Sequence, residues 1–132
     1  MRRVGEFETR FQKITVWKSE LATEFRVAGA IHASFHKKRF LTGLAWDLIA
    51  AGALLHPTGK PASILMLGVA GGTALRTLRH LLPDVSLTGI DLDGELIDRA
   101  RKEMALAKTG TEIVIADAFE WMESNTRKFD VI

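Results

Sequence analysis

The sequence has no cysteine, no tyrosine and three prolines, and no apolar run approaches the roughly 18 residues needed to span a bilayer. Each absence removes a class of function. Without cysteine there is no disulfide framework, thiolate metal site or cysteine nucleophile. Without tyrosine, no phenolic hydroxyl can serve as acid, base or hydrogen-bond partner. Basic Met1-Arg2-Arg3 is followed by Glu6 and Glu8, where a secretory signal needs an apolar segment, so a cytoplasmic protein with no membrane partner is expected. His32 and His36 have the spacing of a helical metal pair, but they fall on or beside an expected strand. No metal site is predicted there.

What remains is a chain of 132 residues, 47% hydrophobic and 26% charged, which is ordinary for one globular domain. The net charge of +2 hides an asymmetry. Residues 1–60 carry ten Lys/Arg against five Asp/Glu, whereas residues 61–132 carry eight against eleven. The first half is the one suited to an acidic partner, but its basic and aromatic density falls short of a nucleic-acid surface.

Residues 10–35 alternate with a period of two. Phe11, Lys13, Thr15 and Trp17 share one face and Gln12, Ile14, Val16 and Lys18 the other, and Leu21–Val27 repeats the pattern after a turn at Lys18-Ser19-Glu20. A third strand through Ile31, Ala33 and Phe35 follows a turn at Gly29, so residues 1–37 are expected to form a small antiparallel meander. His36-Lys37-Lys38-Arg39 reads as a solvated basic loop. Across residues 38–61, Leu41, Leu44, Ala45, Leu48, Ala51 and Leu55 recur at spacings of three and four. This predicts a core-facing connector helix from Phe40 to Leu55, stopped by His56-Pro57-Thr58-Gly59.

Residues 62–132 then alternate strand and helix. Strands are expected at Ile64–Leu67, Ser86–Ile90, Glu112–Ala116 and Phe129–Ile132, with helices over Thr73–Leu82, from Gly94 and from Ala118. The fold class is therefore α/β: a partial Rossmann-like parallel sheet of about four strands with right-handed crossovers, preceded by the meander. Ligands of such sheets bind beyond the carboxyl ends of the strands. Three of those ends are marked here. Gly68–Gly72 forms a side-chain-poor turn before a helix N-terminus; Asp91, with Leu92, closes the second strand at the spacing of a ribose-binding carboxylate; Asp117, with Ala118, closes the third. Together they point to a nucleoside ligand.

The segments Ile64–Gly72, Gly89-Ile90-Asp91-Leu92-Asp93, Ala116–Met122 and Phe129–Ile132 resemble the successive motifs of class I S-adenosylmethionine-binding proteins, specifically the spermidine synthase family. The meander with Val27–His32 is similar to the small β-domain of polyamine aminopropyltransferases. The resemblance implies that Gly68, Ala70, Gly71 and Gly72 pass beneath the methionine-derived arm of S-adenosylmethionine or its decarboxylated form. It implies that Asp91 holds the ribose, with Leu92 among the cofactor-binding residues, that Asp117 and Ala118 meet the adenine, and that His32 stands at a substrate-binding position. The family's glycine-turn aspartate is Gly71 here, its glutamine is His32, and its acidic and tyrosine positions fall in Lys37-Lys38-Arg39-Phe40-Leu41. The strand that precedes its catalytic aspartate is the chain's last. No catalytic residue is therefore assigned.

Three functions follow as expectations. The first is a spermidine synthase-like protein, a partial version of the family, passing an aminopropyl group to a small-molecule amine. The second is an S-adenosylmethionine-dependent methyltransferase. The third is a noncatalytic binding or assembly module, because a sheet stopped at four strands leaves an edge that invites a second copy of the chain as a homo-oligomeric partner.

Overall fold

Two sheets form in succession, each from a local period in the chain. The computed structural model describes residues 1–132. Four antiparallel strands come first, β1 (Arg2–Glu8), β2 (Lys13–Lys18), β3 (Ala22–Val27) and β4 (Ala30–His36), paired in sequence order. Ile14 and Val16 on β2, Phe25 on β3 and Ala33 on β4 are buried, as the alternation requires. Between β3 and β4 the turn residues Ala28 and Gly29 have φ of 47° and 83°, the left-handed pair that a tight hairpin needs.

The meander has one strand more than its alternation announces. Strand β1 pairs with β2 from Arg2 opposite Lys18 to Glu8 opposite Lys13, with an irregularity between Arg3 and Gly5. Nearly all its residues are exposed, so no apolar period marks it.

The connector also differs from expectation. Its helix, α1, covers Ala45–Gly52 and tightens into a 3-10 turn at Ala53–Leu55. The Asp47 carboxylate accepts the Thr42 amide at 2.9 Å and the Gly43 amide at 2.7 Å, holding residues 42–44 in a turn that delays the helix. Nor does the leucine stripe face the core. Leu41, Leu44, Leu48 and Leu55 are exposed, Ala51 is too, and the inward positions belong to Ala50 and Ala53.

The second sheet is parallel: β5 (Ser63–Leu67), α2 (Thr73–Leu81), β6 (Ser86–Asp91), α3 (Gly94–Glu103), β7 (Glu112–Ile115) and α4 (Ala118–Ser124) follow one another, with strand order β5-β6-β7. The expected fourth strand is reduced to one parallel bridge between Val131 and Ile64. Its ladder is irregular because the Ser63 carbonyl takes both the Asp130 and Val131 amides, while the Asp130 carboxylate clasps the amides of Ala62 and Ser63 at 2.7 and 3.0 Å. Since Ile64 also pairs with Leu87 of β6, Val131 lies on the other side of β5. The chain reverses direction across the sheet at β5, which makes the carboxyl end of β5 the switch point where α/β ligands bind.

One buried cluster joins the two sheets, Ile14, Val16, Phe25 and Ala33 packing with Ile64, Leu75, Leu78, Ile97 and Met104. Polar struts fix their relative position. Buried Asp93 caps α3 by accepting the Leu96 amide at 3.0 Å, and also accepts from Thr9 Oγ1 at 2.7 Å and Gln12 Nε2 at 3.2 Å. Thr73, opening α2, takes the Ser34 amide on its hydroxyl oxygen at 3.0 Å.

Candidate functional site

The glycine turn leaves β5 through a chain of positive φ values: 84° at Gly68, 48° at Ala70 and 73° at Gly72. Glycine adopts this region freely, but for an alanine it costs roughly 1–2 kcal/mol. Asp91, at the end of β6, compensates. Its Oδ2 accepts the amides of Val69 and Ala70, both at 2.8 Å, and its Oδ1 accepts the Asp93 amide at 2.9 Å. A half-buried carboxylate thus sits beside the turn and holds it in a strained shape, the kind of strain that collects at ligand sites.

The five positions of the turn are not equivalent. Gly68 is exposed, with open space where a side chain would stand, and Ala70 is half-buried. Gly71 and Gly72 are buried, and a Cβ at either would collide with Ala33 or Leu106 respectively. The missing side chains of Gly71 and Gly72 therefore make room for protein packing, while Gly68 is the position a ligand could approach. Among the turn amides, those of Gly68, Val69, Ala70 and Gly72 are committed to protein acceptors. The Gly71 amide has none.

Leu92 follows Asp91 and is exposed at 47%. At the third strand end, Asp117 caps α4, its Oδ1 accepting the amides of Phe119 at 2.8 Å and Glu120 at 3.2 Å, with Ala118 half-buried beside it. The three marked strand ends thus lie on one rim of one sheet, because β5, β6 and β7 are parallel neighbours. His32 is exposed on β4 in the antiparallel sheet, next to Ala33, which packs against Gly71. No group of three His, Cys, Asp or Glu side chains has the arrangement of a metal site.

Sequence reasoning missed one residue that shapes this rim. Arg76, in the first turn of α2, donates to the carbonyls of Gly71 and Met104 at 2.8 and 2.7 Å and also to that of Ser34. Burial pushes its pKa down to about 10, so the guanidinium is charged at neutral pH. It ties the turn, β4 and the end of α3 together. Two of its three partners, Ser34 and Met104, come from distant segments, and no local pattern signals them.

A family described as a methyltransferase domain matches residues 64–132, from β5 to the last residue. A probable polyamine aminopropyl transferase of Bifidobacterium longum is 29% identical over 96 residues, covering 73% of this chain and 21% of that protein. A polyamine aminopropyltransferase of Leptospira interrogans is 27% identical over 135 residues, covering 95% of this chain and 26% of the relative. This chain therefore spans about a quarter of the length of these curated relatives. Among solved structures, a spermidine synthase in complex with the transition state analogue AdoDATO superposes with a TM-score of 0.76 at 25% identity, covering 99% of this chain and 45% of that one. With over half of its residues matched by the family and both sheets shared with that enzyme, the chain belongs to the methyltransferase-domain family and is a spermidine synthase-like member of it.

Proposed function

We propose that the rim formed by Gly68–Gly72, Asp91 and Leu92, and Asp117 and Ala118 binds S-adenosylmethionine or its decarboxylated form, and that the protein passes an aminopropyl group from the latter to a small-molecule amine in the cytoplasm. The observation that carries this reading is the strained Ala70 turn clasped by Asp91 at the sheet's switch point. Relatives named as aminopropyltransferases support the reaction, as does a solved neighbour holding a transition state analogue.

In this reading Gly68 lets the backbone meet the ligand's amino-acid-derived arm, and Asp91 accepts from the ribose with the one Oδ1 lone pair that the Val69, Ala70 and Asp93 amides leave free. Asp117 and Ala118 border the adenine. The reaction forms a bond from the amine nitrogen to the aminopropyl carbon, breaks that carbon's bond to sulfur, and releases a thioether and a proton. A sulfonium is a good leaving group, so the protein's task is to align the amine and accept the proton. Asp130 is not that base: its carboxylate is taken up by the Ala62 and Ser63 amides at the entry to β5, the opposite end from the rim.

A second reading, methyl transfer from S-adenosylmethionine, is favoured by the basic loop Lys37-Lys38-Arg39, which repels a polyamine. A third, an assembly module pairing with a second copy, is favoured by the uncovered leucines of α1. Calorimetry on the intact chain separates the three. Aminopropyl transfer requires tighter binding of the decarboxylated ligand, methyl transfer the reverse order, and an assembly module neither. Asp91→Asn should weaken whichever ligand binds at least tenfold. No binding of either ligand at millimolar concentration would overturn the adenosyl reading.

A further inference from the structure

Beside the strand-end rim, with Arg76 shared between the two, a cavity of about 480 Å³ opens between the end of β4, the loop from Lys37 to Thr42, α2 and the 3-10 turn Leu106–Thr109. Its lining includes six cationic side chains, Lys37, Lys38, Arg39, Arg76, Arg79 and Lys108, and no carboxylate. His36 and His80 add ring nitrogens. In a chain with nearly equal numbers of basic and acidic residues, this segregation of charge is a feature of the fold rather than of composition.

The two kinds of cation have different roles. Arg76 and Arg79 form the floor and bond only to neutral oxygens: Arg76 to the carbonyls of Ser34, Gly71 and Met104 and the Thr73 hydroxyl, Arg79 to the carbonyls of Pro83, Val85 and Thr109. Carbonyl dipoles fix their positions without cancelling their charge. Lys37, Lys38, Arg39 and Lys108 are exposed around them, and none takes part in the chain's ion pairs. Asp47, the carboxylate on the adjoining connector, is used up by the Thr42 and Gly43 amides and the Thr42 hydroxyl.

We propose that this cavity binds a small anion carrying several phosphate groups, at a site separate from the adenosyl rim. Like charges gathered around a concave surface focus a positive field, and an oligophosphate supplies the missing counter-charge with several acceptor oxygens. The volume falls in the range of small-ligand pockets, roughly 300–1,000 Å³. A single-stranded nucleic acid would need free aromatic faces for its bases. Each of the two rings here has one face taken: Phe40 is stacked on His80 with centroids 3.7 Å apart, and Arg76 lies over Phe35 at 5.3 Å. This inference does not depend on the adenosyl reading.

The test is calorimetric titration of the intact chain with inorganic tripolyphosphate, with a single-stranded oligonucleotide run in parallel. Wild type should bind tripolyphosphate with an affinity that falls as salt rises. The double variant Lys38→Glu/Lys108→Glu, at two exposed positions and with circular dichroism to confirm folding, should lose at least tenfold. Asp91→Asn should bind tripolyphosphate as wild type does, whatever its effect on adenosyl ligands. The proposal is overturned if tripolyphosphate does not bind at millimolar concentration or if the double variant binds it unchanged. It also fails if Asp91→Asn abolishes binding in a folded chain, or if the oligonucleotide binds the same residues more tightly.

Discussion

The parallel unit is finished differently on its two flanks. Toward the meander it is sealed: Ala33 fills the space beside Gly71, Thr9 and Gln12 converge on Asp93, and Lys18 at 2.8 Å and Arg99 at 2.9 Å share the Glu103 carboxylate. Toward α1 it is open. Leu48 is 77% exposed, Leu55 85% and Ile132 66%, and Ile132 joins Ile49, Ala53, Ile64, Met66 and Val131 around a hollow. The difference lies in what arrives from far away in sequence. On the meander flank, polar side chains from distant segments specify the fit, whereas α1 meets its neighbours through alanines and leaves its larger side chains in solvent.

Truncating a buried leucine beneath the open flank and an exposed one upon it should give the largest effect and the sharpest contrast. Leu78→Ala empties a site that is 1% exposed and should lower unfolding stability by about 2–5 kcal/mol. Leu55→Ala, on the open flank, should stay within about 0.5 kcal/mol. Urea midpoints for both variants check this. A Leu55→Ala loss as large as that of Leu78→Ala would mean that the α1 flank is covered in solution, and the contrast would collapse.

Asp93 gives the next effect. Asp93→Ala removes a helix cap worth about 1 kcal/mol and leaves the Thr9 and Gln12 donors without their acceptor, for a total loss of about 2–3 kcal/mol. Asp93→Asn keeps an acceptor oxygen and should recover part of it. If Asp93→Ala costs no more than an ordinary cap, the strut to the meander contributes nothing. Thermal unfolding of the two variants separates those outcomes.

What could be read from the sequence follows the same divide between local and distant causes. Strands β5, β6 and β7, the Gly29 turn, the glycine turn after β5 and the acids at the two other strand ends each rest on a few adjacent residues, and the structure has the elements where the pattern puts them. Strand β1 could not be read, because its order comes from pairing with β2 and not from its own exposed residues. The early start given to α1 failed because Asp47 turns back to hold Thr42 and Gly43. Its leucine stripe failed because a period of three and four marks an apolar face without saying that anything covers it. At the candidate site the position of the glycine turn after β5 and of Asp91 at the end of β6 was legible. That Asp91 clasps the turn, that Gly71 makes room for Ala33, and that Arg76 ties three segments together became visible only in three dimensions.

The smallest effect is at the far edge, where exposed ion pairs replace buried struts. Arg127 holds both Glu112 oxygens, at 3.2 and 3.0 Å, and donates to Thr88 Oγ1 at 3.0 Å. The Arg127 hydrogen bonds lower the Glu112 pKa, and the Ala62 and Ser63 amides do the same for Asp130. A carboxylate held below its unfolded value, about 4 for these groups, adds stability that is complete above that value and disappears as pH falls through the folded one. The urea midpoint should therefore be flat near neutrality and fall below about pH 4. Arg127→Ala should cost about 0.2–1 kcal/mol at pH 7, as exposed ion pairs do, and less at pH 3, because Glu112 gains its proton as pH falls through its lowered pKa. A cost that stays the same at both values would show that Arg127 acts through Thr88 and its packing on Phe129, 5.1 Å away, rather than through charge. The edge would then be held by shape and neutral hydrogen bonds, unlike the meander flank with its Lys18–Glu103 ion pair.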